Sequence, residues 1–439
     1  MVEGSLWKNI FLFSVPLMLS QLLEVMFNLS DVAVVGKFAD YKALGAVGST
    51  TLLVSLFVGF LIGMGSGVNV QVALGLGARD KRNVEQTIHT SLILCFIVGM
   101  AACILCFVLA RPVLTLMKTK EDLLEQAVLY LRIYALGLPG MAVYNFGNGV
   151  MSAGGDTRHP LVYLSIAGIL NVLLNLFFVI VMHLAAAGVA IASVIAQYVS
   201  AVLIIANLLR REDECNLSVR KIRLHKDAAK SVLLIGLPTG IQNAIFAIAN
   251  LFVQMGVNSF DTVMVSGNSA ANADTVIFNI LNAFYTACAS FIGQNRGAGK
   301  KERMKKSYFI SLFYGAGVAA LAGGVLLLSG RQFLSLFANN TEVIDAGMQR
   351  LRIMGFSFVM APFMDCTIAA SRGLGKSVVP TVIVVMGSCV FRVIWIYTVF
   401  AYFHTIPSLY LLYIFSWTIT AVAEGLYFSI VYKKTVQRM

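Results

Sequence analysis

The sequence predicts an all-α integral membrane protein, with twelve transmembrane helices in two parallel-repeat six-helix lobes around a central cavity. Three observations predict it. Hydrophobic residues make up 58% of the 439 residues and charged residues only 12%, where an average soluble domain has about 25% charged. The apolar residues fall in long runs: Leu161 to Ile180, Ala185 to Leu209 and Val378 to Phe391 contain no charge. Finally, landmarks of the first half of the chain recur in order in the second.

Run length selects the helix. A hydrocarbon core ~30 Å thick needs about 20 apolar residues at ~1.5 Å of rise each. Backbone amides in lipid must be satisfied within helices or a closed barrel. Barrel strands would alternate polar and apolar residues over ~10 positions, and these runs do not alternate. Spans are expected near 10–36, 44–74, 86–110, 127–152, 161–183 and 185–209, then near 230–257, 269–295, 307–330, 343–371, 377–402 and 407–432. The first run is too long for a secretion signal and carries Glu24, Asn28 and Asp31 without a small-x-small cleavage site. The long polar stretch between the two sets divides the chain into an N-terminal lobe (1–210), a linker (211–229) and a C-terminal lobe (230–439). Cys103 and Cys106 stand at CxxC spacing, but inside an apolar run, and the seven cysteines are an odd number mostly within spans, so neither a disulfide framework nor a structural metal site is implied.

Cations set the orientation. Loops on one side hold Arg79, Lys81, Arg158, Arg210, Arg211, Arg220, Lys221, Arg296, Lys300, Arg372 and their neighbours. The other side holds only Lys37, Lys42, Arg111, Lys118, Lys120 and Arg331. This bias predicts a multi-pass protein of the inner (cytoplasmic) membrane with both termini cytoplasmic. The net charge of +12 then reads as contact with anionic membrane lipids, not nucleic acid.

The repeat is carried by a nearly constant offset. Leu-Arg-Ile at Leu131 recurs at Leu351, Gly155 at Gly375, Pro160 at Pro380, and GARDKRN at Gly77 as GAGKKER at Gly297, all 220 residues on. Pro16 and Asn28 meet Pro238 and Asn250 at an offset of 222. Six spans is an even number, so the halves share one orientation and a substrate site is expected between them.

Ionisable groups within spans are costly and mark function. In the first span Gln21, Glu24, Asn28 and Asp31 fall within about 80° of arc on one helical face. Asn243, Asn250 and Gln254 form a similar stripe within about 40° on the seventh, where Phe246 and Val253 stand opposite Glu24 and Asp31 in the repeat. The acid therefore belongs to the N-terminal half. Asp31 is read as the carboxylate of a coupling cation. Asn171 and Asn175, one turn apart, and Ser193 offer neutral oxygens nearby, although helix–helix hydrogen bonds explain such a pair equally well. Asp365 and Arg392 are expected to pair, with a substrate contact as the alternative, and Glu424 is expected to be solvated near a helix end. Pro16, Pro139, Pro238 and Pro362 are expected to bend their spans.

With these residues in view, the chain resembles the multidrug and toxic compound extrusion (MATE) family over nearly its whole length. The likeness rests on Pro16 followed by NLSDVAVVGKF around Asp31, ALGLGARDKRNV, SAGGDTRHP, NVLLN and AGVAIASVIAQ. It implies a monomeric antiporter that exports organic cations and other amphipathic, drug-like small molecules in exchange for Na⁺ or H⁺ by alternating access. No cofactor is implied beyond that coupling ion. The family's N-lobe cation site, Na⁺ included, maps onto Asp31, Asn171, Asn175 and Ser193. The polar stripes themselves place Gln21, Glu24, Asn28, Asn243, Asn250 and Gln254 as lining of the substrate cavity, with a structural hydrogen bond as the alternative for Glu24, and Asp365 joins them in its substrate-contact reading. Asn175 stands where that site often has an acid, and the helix-7 acid of one branch is missing here. A lipid-linked oligosaccharide flippase of the same superfamily is the alternative reading. It would favour a strongly cationic cavity, whereas Arg392 is the one Lys or Arg near mid-span. A membrane-embedded enzyme fits less well, since no His, Ser or Cys constellation gathers at a membrane surface.

Overall fold

A chain in lipid must close its backbone hydrogen bonds within each segment, and helix accounts for nearly all of this one. The computed structural model describes residues 1–271, 274–335 and 340–439, so the expected span at 269–295 begins partly outside the described residues. The first half of the chain forms α1 (Leu6–Phe38), α2 (Tyr41–Gly77), α3 (Lys81–Leu116), α4 (Glu121–Ala135), α5 (Leu138–Ala153), α6 (Arg158–Leu176) and α7 (Ala185–Arg210). The second forms α8 (Lys226–Asn258), α9 (Thr262–Ala270), α10 (Asp274–Gly297), α11 (Lys301–Ser335), α12 (Thr341–Ser357) and α13 (Ala361–Gly373). It ends with α14 (Val378–Val384), α15 (Phe391–Trp395), α16 (Ala401–Phe403) and α17 (Ile406–Arg438). Among the described residues ten helices are long and apolar enough to cross a membrane, and twelve spans result when each bent pair counts as one. Outward-facing side chains such as Leu116 and Leu328, 82% and 90% exposed, suit a hydrocarbon solvent.

The prolines divide into two kinds. Pro139 and Pro362 lie in the first turns of α5 and α13, where a missing N–H costs nothing. The α4–α5 and α12–α13 pairs bend there by 43° and 45°. Pro16 and Pro238, by contrast, sit inside α1 and α8, which continue through them as single helices. The expected bend is therefore a break between two helices at Pro139 and Pro362, while Pro16 and Pro238 leave their helices unbroken.

The halves repeat down to single hydrogen bonds. Asp40 accepts from the Ala43 amide and Asp261 from the Met264 amide, each at 2.8 Å. Arg111 pairs with Glu125 as Arg331 pairs with Asp345, 220 residues later in both members. Left-handed backbone recurs at Arg79 and Gly299, at Gly155 and Gly375, and at His183 and His404. A π-helical turn at Phe177–Val181 has its counterpart at Ile396–Phe400. Side chains have diverged between the halves while the turns that fix helix length have not.

Contacts divide the chain into two units, Val15–Ala244 and Met1–Ser14 with Ile245–Met439. In the first, α2 packs on α3, α4 and α5, and α7 packs on α5 and α6. The start of α8 crosses α2 backbone to backbone. A Cβ on Gly63 would stand 2.3 Å from the Gly240 nitrogen, and one on Gly67 2.6 Å from the Gly236 nitrogen, so only glycine permits that crossing. In the second unit α10 packs on α11 and α13, and α17 on α12 and α13. Its chain start is gripped at its carbonyl oxygens. Arg303 donates to the carbonyls of Met1 and Gly4, each at 3.0 Å, and of Glu3, and Lys300 to that of Val2 at 2.8 Å. Glu424 of α17 corrects an expectation. It is fully buried, and neither carboxylate oxygen has a hydrogen-bond partner.

The SAGGDTRHP motif is a latch. Asp156 accepts from Arg211 at 2.9 Å and from both the amide and ring of His159, while Arg211 also holds Asp213. Burial alone would raise the Asp156 carboxyl, but the hydrogen bonds from Arg211 and His159 outweigh it and hold the group below its ordinary value. A carboxyl depressed in the folded state stabilises the fold above its unfolded value and loses that contribution as pH falls through the folded one. Asp156→Asn should therefore cost about 1–3 kcal/mol at neutral pH, with the gap to the parent closing below about pH 4. Thermal unfolding of both proteins in detergent across that range checks it.

Candidate functional site

The site begins with a close approach. Gly168 of α6 faces Phe27 of α1 so tightly that a Cβ on Gly168 would fall 1.8 Å from the ring. One turn further along each helix stand Asp31 and, on α6, Asn171 and then Asn175. The π turn at Phe177–Val181 follows directly; such turns shift the register of the helix around them. The chain then reverses through left-handed His183 and enters α7, which brings Ser193 back to the same level.

Four side chains close a ring. Asn175 Nδ2 donates to Asp31 Oδ1 at 2.5 Å and to Asn171 Oδ1 at 3.1 Å. Asn171 Nδ2 donates to Ser193 Oγ at 3.3 Å, and Ser193 Oγ to Asp31 Oδ2 at 3.4 Å. Asn171, Asn175 and Ser193 are buried, Asn175 completely. Asn175 Oδ1 is left without a hydrogen-bond partner, which for a buried carbonyl oxygen calls for an explanation. A hard cation supplies one. It takes oxygen ligands, and this ring offers a carboxylate, two amide oxygens and a hydroxyl within one small volume. A proton on Asp31 is the other way to satisfy a carboxylate so placed.

Tyr130 and Tyr134 of α4, which sequence reasoning missed, also lie within electrostatic reach of Asp31. Their rings stack with centroids 6.1 Å apart. The available signal was their one-turn spacing across the repeated Leu-Arg-Ile.

The residues expected to line a substrate cavity have separate fates. Gln21, Glu24 and Asn28 share α1 with Asp31, yet their side chains make no hydrogen bond or ion pair among the described residues. Asn243 falls in the first unit and donates to the Gly59 carbonyl at 2.9 Å. Asn250 and Gln254 fall in the second, where Gln254 donates to Asn258 and Asn250 accepts from Arg392 at 3.0 Å. The expected Asp365–Arg392 ion pair does not form. Arg392 instead lies over the Tyr413 and Phe246 rings at 4.5 and 5.4 Å, and Asp365 senses it only at longer range, after Arg372.

A duplicated, twelve-span helical bundle with a buried carboxylate site in one half defines a polytopic membrane transporter. The MatE family model matches residues 16–177 and again 238–398, so the chain belongs to that family, whose members are multidrug efflux transporters. Among curated relatives, the probable multidrug resistance protein YpnP of Bacillus subtilis is 26% identical over 81% of this chain and 80% of its own. Two solved structures share the fold at a TM-score of 0.91 and 21% identity. One is a multidrug resistance MATE family transporter of the MOP superfamily in an outward-facing conformation, covering 99% of this chain and 98% of that one. The other is a MOP superfamily transporter from Pyrococcus furiosus with a binding pocket of reverse polarity, covering 99% and 97%.

The Phe27–Gly168 contact offers a check on how the ring is held. Gly168→Ala should cost about 1–3 kcal/mol of stability through overpacking, and adding Phe27→Ala should restore most of it. Detergent melting curves of the single and double variants measure the coupling.

Proposed function

We propose that the protein exports amphipathic, drug-like molecules, organic cations among them, in exchange for inward Na⁺ or H⁺, with Asp31 as the coupling carboxylate. The observation that carries this is the closed ring of Asp31, Asn175, Asn171 and Ser193, with its unpartnered Asn175 oxygen. A lone carboxylate in a membrane interior cannot keep its charge uncompensated. It holds either a cation or a proton, and Asp31 is the ring's one member able to alternate between them. If substrate and ion favour different conformations, linkage makes each drive the release of the other. Each charge carried inward gains about 2.3 kcal/mol per 100 mV of membrane potential. The reading has a monomer in the cytoplasmic membrane, exchanging access between its two sides, with both termini inside.

Transport in proteoliposomes under an imposed Na⁺ or H⁺ gradient tests the coupling role. Asp31→Asn keeps the ring's shape and should reduce gradient-driven export to the leak rate while the protein still inserts and binds drug. Glu24→Gln should have a smaller effect and Asp365→Asn a smaller one still. Export that survives in Asp31→Asn and is abolished in Asp365→Asn would overturn the assignment.

Orientation is tested separately. All seven native cysteines are free and buried, which keeps background labelling low. A cysteine at exposed Lys120 should react with an impermeant thiol reagent on intact cells, and one at exposed Arg220 only after the cells are opened. The reverse pattern would invert the topology.

A further inference from the structure

The repeat allows the place of the cation ring to be found in the other half. Adding the offset of 220 to Asn171 and Asn175 gives Phe391 and Trp395, and the 222 offset carries Glu24 to Phe246 and Asp31 to Val253. Every oxygen ligand of those positions has been replaced by an apolar or aromatic group. The charge found there has the opposite sign. Arg392, next to Phe391, is 2% exposed.

Its surroundings compensate it only in part. Nη1 donates to Asn250 Oδ1 at 3.0 Å, the Tyr413 and Phe246 rings cover the guanidinium plane, and Nε has no partner. Among the described residues no carboxylate lies within ion-pair distance of it. Cation–π contacts contribute much less than burying an unpaired charge costs. Two π-helical turns, Val385–Val390 and Ile396–Phe400, bracket the short α15 that carries Arg392, and such turns concentrate at functional sites. Asn250, the residue that meets the guanidinium edge, is itself exposed on α8. A buried charge with an unfilled donor is thus reached through one exposed amide and walled by aromatic rings.

We infer that Arg392, with Asn250, Phe246 and Tyr413, forms a binding site for the acidic group of an aromatic amphiphile, a carboxylate or sulfonate on a flat ring system. The guanidinium supplies charge and paired donors, Asn250 supplies an amide donor once its carbonyl is displaced, and the rings stack on the ligand's π face. This deepens the transport reading and rests on it: the N-terminal half handles the cation while the C-terminal half recognises acidic cargo.

The test is equilibrium binding to the purified full-length protein in nanodiscs without an ion gradient. Fluorescence anisotropy follows carboxyfluorescein as the anionic probe and ethidium as the cationic one. Carboxyfluorescein should bind the parent, and its affinity should fall at least about tenfold in Arg392→Gln and in Asn250→Asp. The second variant keeps Arg392 and gives it an internal counter-ion, so it stays informative if the first fails to fold. Arg392→Lys should retain part of the binding. Asp365→Asn, which removes a negative charge within electrostatic reach of Arg392, should tighten carboxyfluorescein about two- to fivefold. Ethidium should bind Asn250→Asp no more weakly than the parent. Carboxyfluorescein binding that is equal in parent and Asn250→Asp would overturn the inference. So would ethidium binding to the parent without carboxyfluorescein, which leaves the transport reading intact. If neither dye binds or is exported, the transport reading itself fails.

Discussion

The contact between α1 and α6 governs what the N-terminal half can do. Lipid offers no water to a carboxylate, so Asp31 requires partners from a neighbouring helix. Those partners are short amides and a hydroxyl that reach only when backbones lie close. Gly168 against Phe27 provides that closeness. The π turn after Asn175 and the left-handed reversal at His183 then bring Ser193 to the same level. The ring is thus a product of helix spacing, and the asparagines set that spacing as well as donating its hydrogen bonds.

Duplication explains why the spacing could survive while the chemistry changed. Caps at Asp40 and Asp261, ion pairs at Arg111 and Arg331 and the reversals at His183 and His404 are alike in both halves. All of them lie at helix ends, where they set length and direction without specifying what faces the interior. Interior positions were free to diverge, and they did: amides in one half, aromatic rings and a guanidinium in the other.

Much of this was legible in the sequence because lipid imposes simple rules. Run length gave the spans, and the stripe on the first of them singled out Asp31. Asn171, Asn175 and Ser193 could be joined to it through a resemblance, and the geometry of the ring needed coordinates. The failures share a cause. Glu424 was read by its distance from a helix end, but burial depends on the helices packed around it. Asp365 and Arg392 were paired by opposite charge on adjacent spans, whereas Arg392 turns toward Asn250 and two rings. Pro139 and Pro362 start new helices while Pro16 and Pro238 do not, a difference that one residue type cannot encode. Tyr130 and Tyr134 looked like ordinary core residues because nothing local connects them to Asp31.

The hold on the chain start has an evolutionary consequence. Arg303 and Lys300 grip Met1 through Gly4 by their carbonyl oxygens, which every amino acid carries. The grip reads no side chain at Met1, Val2 or Glu3, whereas Gly4 stands at a φ of +74°, a left-handed backbone that favours glycine. Register is not free: the carbonyls must arrive at a fixed distance before the first turn of α1. Sequence divergence at the first three of these positions is therefore compatible with an unchanged contact, whereas a change in the number of residues between the grip and the helix is not.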